Sequence, residues 1–370
     1  MVNCMTFISM GIRMLVNVEA LNMVESVGNV IRHRTVPVII RRSDGEYVMR
    51  WVPAISGECL AHAYQSYLAE QAVKRGLKVC YWCRKKEFIK HFDLKFYSLT
   101  SKTSGGEVEY SEEEQVLSEK YAGKREFTLE EIRDIEAKII RACVVEDIGG
   151  FLVTQGPTKR TSRFYVSYAI PTYEAIEKGV VALDHQFMVR HAPEAEARRP
   201  SEVAAPAQAP YYPQVSSAIY AWIFNIELSG IGVSSVSGEK VLEDEEIERR
   251  RQVALDALAE MLDNRIFGAK LTRFTPFIDY EIIVAAISEG IRFTVSSPTL
   301  PLKQFIGETV ERSKKAKQDT GAKIEIVIWC KDESIEKLAK EVVKDVEIVR
   351  SASVRDLINR VKEIALKGAK

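Results

Sequence analysis

Between Met10 and Glu19 the chain alternates strictly: Ile12, Met14, Val16 and Val18 interleave with Arg13, Leu15, Asn17 and Glu19. A period of two predicts a strand, with one face on a core and the other toward polar surroundings. A polar stretch follows, MVESVGNVIRHRTVP. Then VIIRR and YVMRWV flank Ser43, Asp44 and Gly45, and Asp-Gly between two such runs predicts a hairpin. Next comes PAISGECLAHAYQSYLAEQAVK, with Pro53 ahead of a cap at Ser56 and Leu60, Tyr64, Tyr67 and Leu68 at helical spacing. Strand, basic loop, hairpin and capped helix together predict the opening of a ferredoxin-like α+β unit. Residues 1–8 read either as an extension ahead of that first strand or as the product of a misassigned start.

Further along, TLEEIRDIEAKIIRACVVED carries a cap at Thr128, glutamates in its first turn and apolar residues at Leu129, Ile132, Ile135, Ile139 and Ala142. It is an amphipathic helix, and the charged block around it reads as a helical insertion. The acidic run at 112–114 reads as a solvated face. GEKVLEDEEIERRRQVALDALAEMLDN is a second long helix, in which Arg249, Arg250 and Arg251 pair with the preceding glutamates. Tyr220, Trp222 and Phe224 share one face of a strand and read as core in preference to a base-stacking platform. The tail, from IEIVIWC onward, reads as a βαβα segment. The expected organisation is a first part of the sheet core at 9–83, a helical insertion at 84–148, core strands with a basic loop at 149–191, a projecting loop at 192–216, the remainder of the core at 217–317 and the tail at 318–370.

Lysine plus arginine equals aspartate plus glutamate, 52 of each, so any nucleic-acid surface is a local patch on a neutral chain. Six cysteines in 370 residues are too few for a disulfide scaffold, and no secretory signal is visible. The apolar start is too short for a membrane span and is broken by Arg13; the expected compartment is the cytoplasm, with no membrane partner. Cys80 and Cys83 form one C-x-x-C, half a zinc site or a redox motif. With no second pair downstream at zinc spacing, they read as buried or adventitious thiols. No metal and no cofactor are expected. In GGFLVTQGPTKRTSRFYVSYAI, Lys159, Arg160 and Arg163 follow a glycine-rich turn, an arrangement that suits either phosphate binding or an ordinary basic turn. Lys270 and Arg273 form a second basic loop after Gly268.

There is no phosphate-binding loop, H-E-x-x-H, EF-hand or G-x-S-x-G pattern. His33 and His62 are the candidate general bases.

Several segments, in order, resemble the DevR-type CRISPR-associated family: NVEALNMVESVGNVIRHRTVPVIIR, VPAISGECLAHAYQ, GGFLVTQGPTKRTSR, QFMVR, QVSSAIYAWIFNIEL and GAKLTRFTP. The resemblance spans roughly residues 9–300. That family supplies the backbone subunit (Cas-seven type, RAMP superfamily) of archaeal type I-A Cascade. The resemblance implies a ferredoxin-like, modified RNA-recognition core with a helical insertion and a thumb-like loop. It implies binding of CRISPR RNA by its sugar-phosphate backbone, pairing of the guide with target DNA, homotypic neighbours in a filament and contacts with other Cascade subunits. It tips the 159–163 loop toward RNA contact.

The candidate RNA-binding residues are Arg13, Asn17, Asn22, Arg32, His33, Arg34, Ser56, Gly57, Lys159, Arg160, Arg163, Arg190, Lys270 and Arg273. Where family members often have histidine, this chain has Met188. Related backbones that cut RNA carry an aspartate before the proline of the first loop. Here Arg34, Thr35 and Val36 precede Pro37, so no catalytic residue is expected. Two other functions compete: a RAMP-type endoribonuclease that processes CRISPR RNA, and a DNA-binding autoregulator. No basic helix-turn-helix is visible for the latter.

Overall fold

The computed structural model describes residues 5–42, 44–90, 111–121, 123–154, 158–191 and 208–367. The chain opens with β1 (Thr6–Glu19), the hairpin β2 (Met23–Val27) and β3 (Val30–His33), and a second hairpin, β4 (Thr35–Arg41) and β5 (Tyr47–Pro53). Helices follow: α1 (Gly57–Lys74), the single turn α2 (Tyr81–Arg84), α3 (Glu112–Tyr121), α4 (Leu129–Ala142) and α5 (Val144–Gly149). Short elements come next: β6 (Phe151–Val153), β7 (Thr158–Arg160), β8 (Phe164–Val166), β9 (Ile170–Pro171), α6 (Tyr173–Glu177), β10 (Ala182–His185) and β11 (Met188–His191). The remainder is β12 (Gln208–Glu227), α7 (Asp244–Asn264), β13 (Phe277–Glu289), α8 (Leu302–Thr320), β14 (Lys323–Cys330), α9 (Glu333–Val342), β15 (Glu347–Arg350) and α10 (Val354–Lys367). The chain is α+β, built on one mixed sheet.

That sheet runs β15-β14-β13-β1-β12-β3-β2, with β8 to β11 also paired along β12. β1 lies antiparallel to β12 on one edge and to β13 on the other. Along the chain, β1, α1, β8–β9, β12, α7 and β13 occur in turn. Their strands take the spatial order β13-β1-β12-β8/β9, each neighbour antiparallel.

The alternation in β1 sets the layers. Ile8, Met10, Ile12, Met14 and Val16 enter a core shared with Tyr220, Trp222 and Phe224 of β12 and with buried residues of α1, α7 and α10. The Tyr64 ring meets Phe164 and Phe224 edge-on at 4.7 and 4.9 Å, and its hydroxyl donates to the Ala254 carbonyl, tying α1 to α7. Each large side chain buried here contributes about 1.5–3 kcal/mol. On the opposite face α8 and α9 cover β13 and β14 through Phe305, Val284 and Ile328. Gly11 lies beneath Phe305; a Cβ there would come within 2.6 Å of the ring.

The cap at Ser56, the capping box at Thr128 and the hairpin around Asp44 and Gly45 form as the residue pattern predicts. The tail is β14, α9, β15 and α10 in turn. Other boundaries move. β1 starts at Thr6, inside the stretch read as an extension. β12 starts at Gln208, so residues 208–216 of the expected projecting loop are strand, paired with β11 and β10. The proline and alanine content hid this. Pro210 sits opposite Val189 near the start of the strand, and Tyr211 and Tyr212 supply β propensity. The rest of that loop lies outside the described residues. Among the described residues no helix is long and apolar enough to cross a membrane.

Candidate nucleic-acid interface

The alternation of β1 breaks at its end. A bulge falls between Val16 and Glu19 in the pairing with β12, and Val18 takes φ +56°. Left-handed backbone is costly for a β-branched residue. The result inverts the pattern: Val18 is exposed and Glu19 is fully buried.

Glu19 faces the buried His33 ring at 2.6 Å and accepts hydrogen bonds from the Tyr220 hydroxyl and the Leu21 N–H, each at 2.8 Å. The other ring nitrogen of His33 lies 2.8 Å from the Arg34 carbonyl. Both ring nitrogens therefore face oxygens, an arrangement that suits a ring donating from both nitrogens. Burial by itself lowers the His33 pKa. The hydrogen bond and charge of Glu19, with the Arg34 carbonyl, outweigh it and raise the pKa above the ordinary 6.5.

This ion pair anchors a surface assembled from distant segments. The Arg34 N–H donates to the Asn22 carbonyl at 2.9 Å. The Asn22 side-chain oxygen accepts from Arg34 Nε at 3.0 Å and from the Ser56 N–H at 2.7 Å. The Arg34 guanidinium reaches the Tyr168 hydroxyl at 3.4 Å and lies 6.0 Å from that ring's centroid. Arg32 sits on the exposed side of β3, 3.2 Å from Glu25, in a solvated pair of little energetic weight.

The loop after α7 docks on the same end. The Ala269 N–H donates to the Leu21 carbonyl at 3.0 Å. Gly268 has φ +86°, and a Cβ there would come within 2.9 Å of Leu21. Lys270 and Arg273 are exposed on this loop, and Arg273 donates to the Tyr211 hydroxyl of β12. Arg190 pairs with Ala209 in the adjoining ladder, and the rings of Phe187 and Tyr212 lie 5.6 Å apart nearby. Arg32, Lys270 and Arg273 thus gather with Tyr211 and Tyr212 near the start of β12, and Arg34 reaches from there toward Tyr168, which sits beside residues 221–224 of the strand. Cations beside partly exposed rings suit a phosphate backbone and unstacked bases.

Other predicted residues are spent elsewhere. Arg13 is buried on the opposite sheet face; its guanidinium donates to the Leu300 carbonyl at 3.1 Å and to Glu174 at 3.0 Å, and lies in a charge pair with Glu281 at 2.7 Å. Arg160 is likewise buried. It donates to the Asp147 and Gly230 carbonyls at 2.8 and 2.9 Å, and pairs with Asp147 at 2.5 Å and Glu136 at 3.3 Å. Neither guanidinium is offered to a ligand, and both leave the candidate set.

Ser56 is buried too: its oxygen caps α1 by accepting from the Cys59 N–H, and its own N–H is used by Asn22. That removes the open helix end expected for a phosphate. Gly57 is needed for close packing, since a Cβ would come within 2.8 Å of the Val166 carbonyl. His33 joins the buried frame of the site, away from its surface.

Arg163 bonds Ser235 at 3.0 Å and lies 3.9 Å from Glu227. Lys159 is exposed on β7. The Arg163 end of β12 lies roughly 40 Å along the strand from the His33 end. Asn17 is half-buried in a groove with Arg265 and Phe277. His62, on the exposed side of α1, rests against the Phe88 ring at 5.0 Å. Tyr168, Tyr211 and Tyr212 were not singled out from the sequence, although tyrosines interrupting otherwise polar strand ends are a usable signal.

A family model described as "CRISPR-associated negative auto-regulator DevR/Csa2" matches residues 10–310. From Saccharolobus solfataricus, a "CRISPR-associated aCascade subunit Cas7/Csa2 2" is 32% identical over 361 residues, covering 96% of this chain and 99% of the relative. A "CRISPR-associated protein Cas7/Csa2 1" of the same organism is 32% identical over 301 residues, 81% of this chain and 84% of the relative. Among solved structures, a chain of a "CRISPR RNA-guided surveillance complex, pre-nicking" superposes with a TM-score of 0.51 at 10% identity, covering 97% of this chain and all of that one. At that identity the likeness concerns the fold.

Proposed function

The chain belongs to the DevR/Csa2 family of CRISPR-associated proteins, and from that premise we propose that it is a backbone subunit of a Cascade-type surveillance complex that holds guide RNA by its sugar-phosphate chain. The core is of ferredoxin-like, RNA-recognition type, a reading supported by the antiparallel strand order β13-β1-β12-β8/β9. Successive copies line one guide RNA in the cytoplasm, alongside other subunits, and leave its bases free to pair with target DNA. The protein reads the backbone and base pairing reads the sequence.

The observation that carries this reading is the convergence of Arg32, Lys270 and Arg273 with the half-buried Tyr211 and Tyr212 near the start of β12, extended by Arg34 to the exposed Tyr168. Lys159 and Arg190 are secondary candidates for the same strand of RNA. The chain is read as non-catalytic: His33 is locked in a buried ion pair, which disfavours the endoribonuclease alternative.

The test is to purify the protein from its native host and sequence the RNA that accompanies it. Short repeat-derived transcripts are expected. In vitro, single-stranded guide RNA should bind with a log–log salt slope near −3, from about four phosphates at roughly 0.7 each. Salt-insensitive binding overturns the reading. Preference for duplex DNA moves it to the autoregulator, and cleavage of repeat RNA in chelator moves it to the nuclease.

A further inference from the structure

Cys80 and Cys83 stand beside two residues some sixty positions later, Cys143 and Glu146. All four are buried, and their ligand atoms lie within 4.8 Å of one another. The Glu146 carboxylate is 3.6 Å from the Cys80 sulfur and 3.9 Å from the Cys83 sulfur. We propose that Cys80, Cys83, Cys143 and Glu146 bind one zinc ion, which pins the neck of the helical insertion to the core.

The local structure presents the four side chains as two matching pairs. Cys80 precedes α2 and Cys83 is the third residue of that turn; Cys143 precedes α5 and Glu146 is its third residue. A spacing of three brings both side chains of each pair to one side of the turn. Cysteine at a cap position is unusual, since serine, threonine and aspartate serve there by accepting a backbone hydrogen bond. Neither Cys80 nor Cys143 makes such a bond. The two turns are docked by the Val144 N–H, which donates to the Lys78 carbonyl at 3.0 Å.

The spacing suits zinc. Bonds of about 2.3 Å to sulfur and 2.0 Å to oxygen in a tetrahedron put S–O edges near 3.5 Å and S–S edges near 3.8 Å. The present separations close onto that figure with shifts of under about 1 Å. As each Zn–S bond forms, the thiol proton leaves to solvent, and the carboxylate supplies the fourth ligand.

Other chemistries fit less well. The thiols are free in the structure, and one disulfide would leave the third thiol and the carboxylate stranded together. Redox exchange needs an accessible sulfur, and Cys80, Cys83 and Cys143 are 3%, 0% and 0% exposed. An iron–sulfur cluster needs room for its own atoms between the cysteines. Calcium and magnesium prefer all-oxygen cages.

The two pairs bracket residues 84–142, so an ion joining them closes the whole insertion at its base. Loop closure of this length constrains the unfolded chain substantially. A C-x-x-C with a C-x-x-E sixty residues later lacks the usual zinc spacing, which is why the single pair looks incomplete in the sequence.

The experiment uses the full chain, expressed with zinc and desalted without chelator, and read by elemental analysis. About one zinc per chain is expected, with near-complete loss in Cys83→Ser and Cys143→Ser and retention in Cys59→Ser. Chelator should lower Tm by roughly 5–10 °C, reversed by zinc. Cobalt(II) reconstitution should give tetrahedral d–d and thiolate charge-transfer bands, the latter stronger in Glu146→Cys. Because cysteine variants can fail to fold, the cobalt spectrum of the unsubstituted chain is the deciding measurement. Fewer than about one zinc in ten chains, or a cobalt spectrum without thiolate bands, overturns the proposal.

Discussion

Residues 158–163 (TKRTSR) and 269–273 (AKLTR) have nearly the same character, small hydroxyls among cations, yet they fold to opposite fates. In the first, Arg160 is drawn inside by two buried carboxylates, Glu136 on α4 and Asp147 on α5, and Asp147 also holds Arg250 at 2.9 Å. In the second, the buried acid nearest the docking point, Glu19, is already engaged by His33, and among the described residues no carboxylate pairs with Lys270 or Arg273. Gly268 seats the loop on Leu21, and both cations stay in solvent beside Tyr211. A basic loop therefore stays open to solvent only where the core below it offers no unpaired complementary charge. The placement of acids on distant helices decides the role of the arginine.

The largest test of this contrast is Arg160→Ala. It strands Glu136 and Asp147 in the interior and should cost about 3–5 kcal/mol in urea unfolding. A loss under about 1 kcal/mol would mean the charge network is solvated. Next is pH. Because the folded His33 pKa is raised, the His33–Glu19 pair stabilises fully below about 6.5 and loses that contribution as pH climbs through the elevated value. Unfolding between pH 6 and 9 should show stability falling in the parent, with the slope reduced in His33→Gln. An unchanged slope would place the titration elsewhere.

On the solvent side, Arg273→Ala and Arg34→Ala should each weaken guide RNA binding about fivefold at 0.1 M salt and flatten the salt slope by about 0.7. The loss should be the same for every guide sequence; one that depended on sequence would mean that bases are read. The smallest effect is expected from Arg32→Ala, within about 0.5 kcal/mol of the parent in stability, because its pair with Glu25 is exposed.

Much of the scaffold is written in local pattern. The apolar face of β1 from Ile8 to Val16 lines the core as the alternation predicts, the caps at Ser56 and Thr128 form, and Tyr220, Trp222 and Phe224 are core. The strand is not half-buried, however: Phe7, Ser9, Gly11 and Arg13 on its other face are covered too, because α8 and α9 pack there. What escaped depends on partners far along the chain. The Val18 bulge turns Glu19 inward because His33 and Tyr220 await it. Strand pairing with β11 orders residues 208–211 against their loop-like composition. The site divided for the same reason. Arg34, Lys270 and Arg273 meet only because α7 returns its following loop to Leu21, whereas Arg13 and Arg160 meet carboxylates instead. One signal was available: Glu136 lies next to Ile135 on the apolar stripe of α4, where an acid is costly unless an arginine meets it.

The far margin of the sheet, β15, has its own implication. It is four residues long and lies parallel to β14; Glu347 is taken by Arg360 at 2.8 Å and Arg350 by Glu336 at 3.1 Å. A ribbon so brief, with both terminal charges already engaged, is a poor template for backbone-to-backbone recruitment of another polypeptide. Lateral fusion of neighbouring chains into one continuous sheet is thereby disfavoured at this margin.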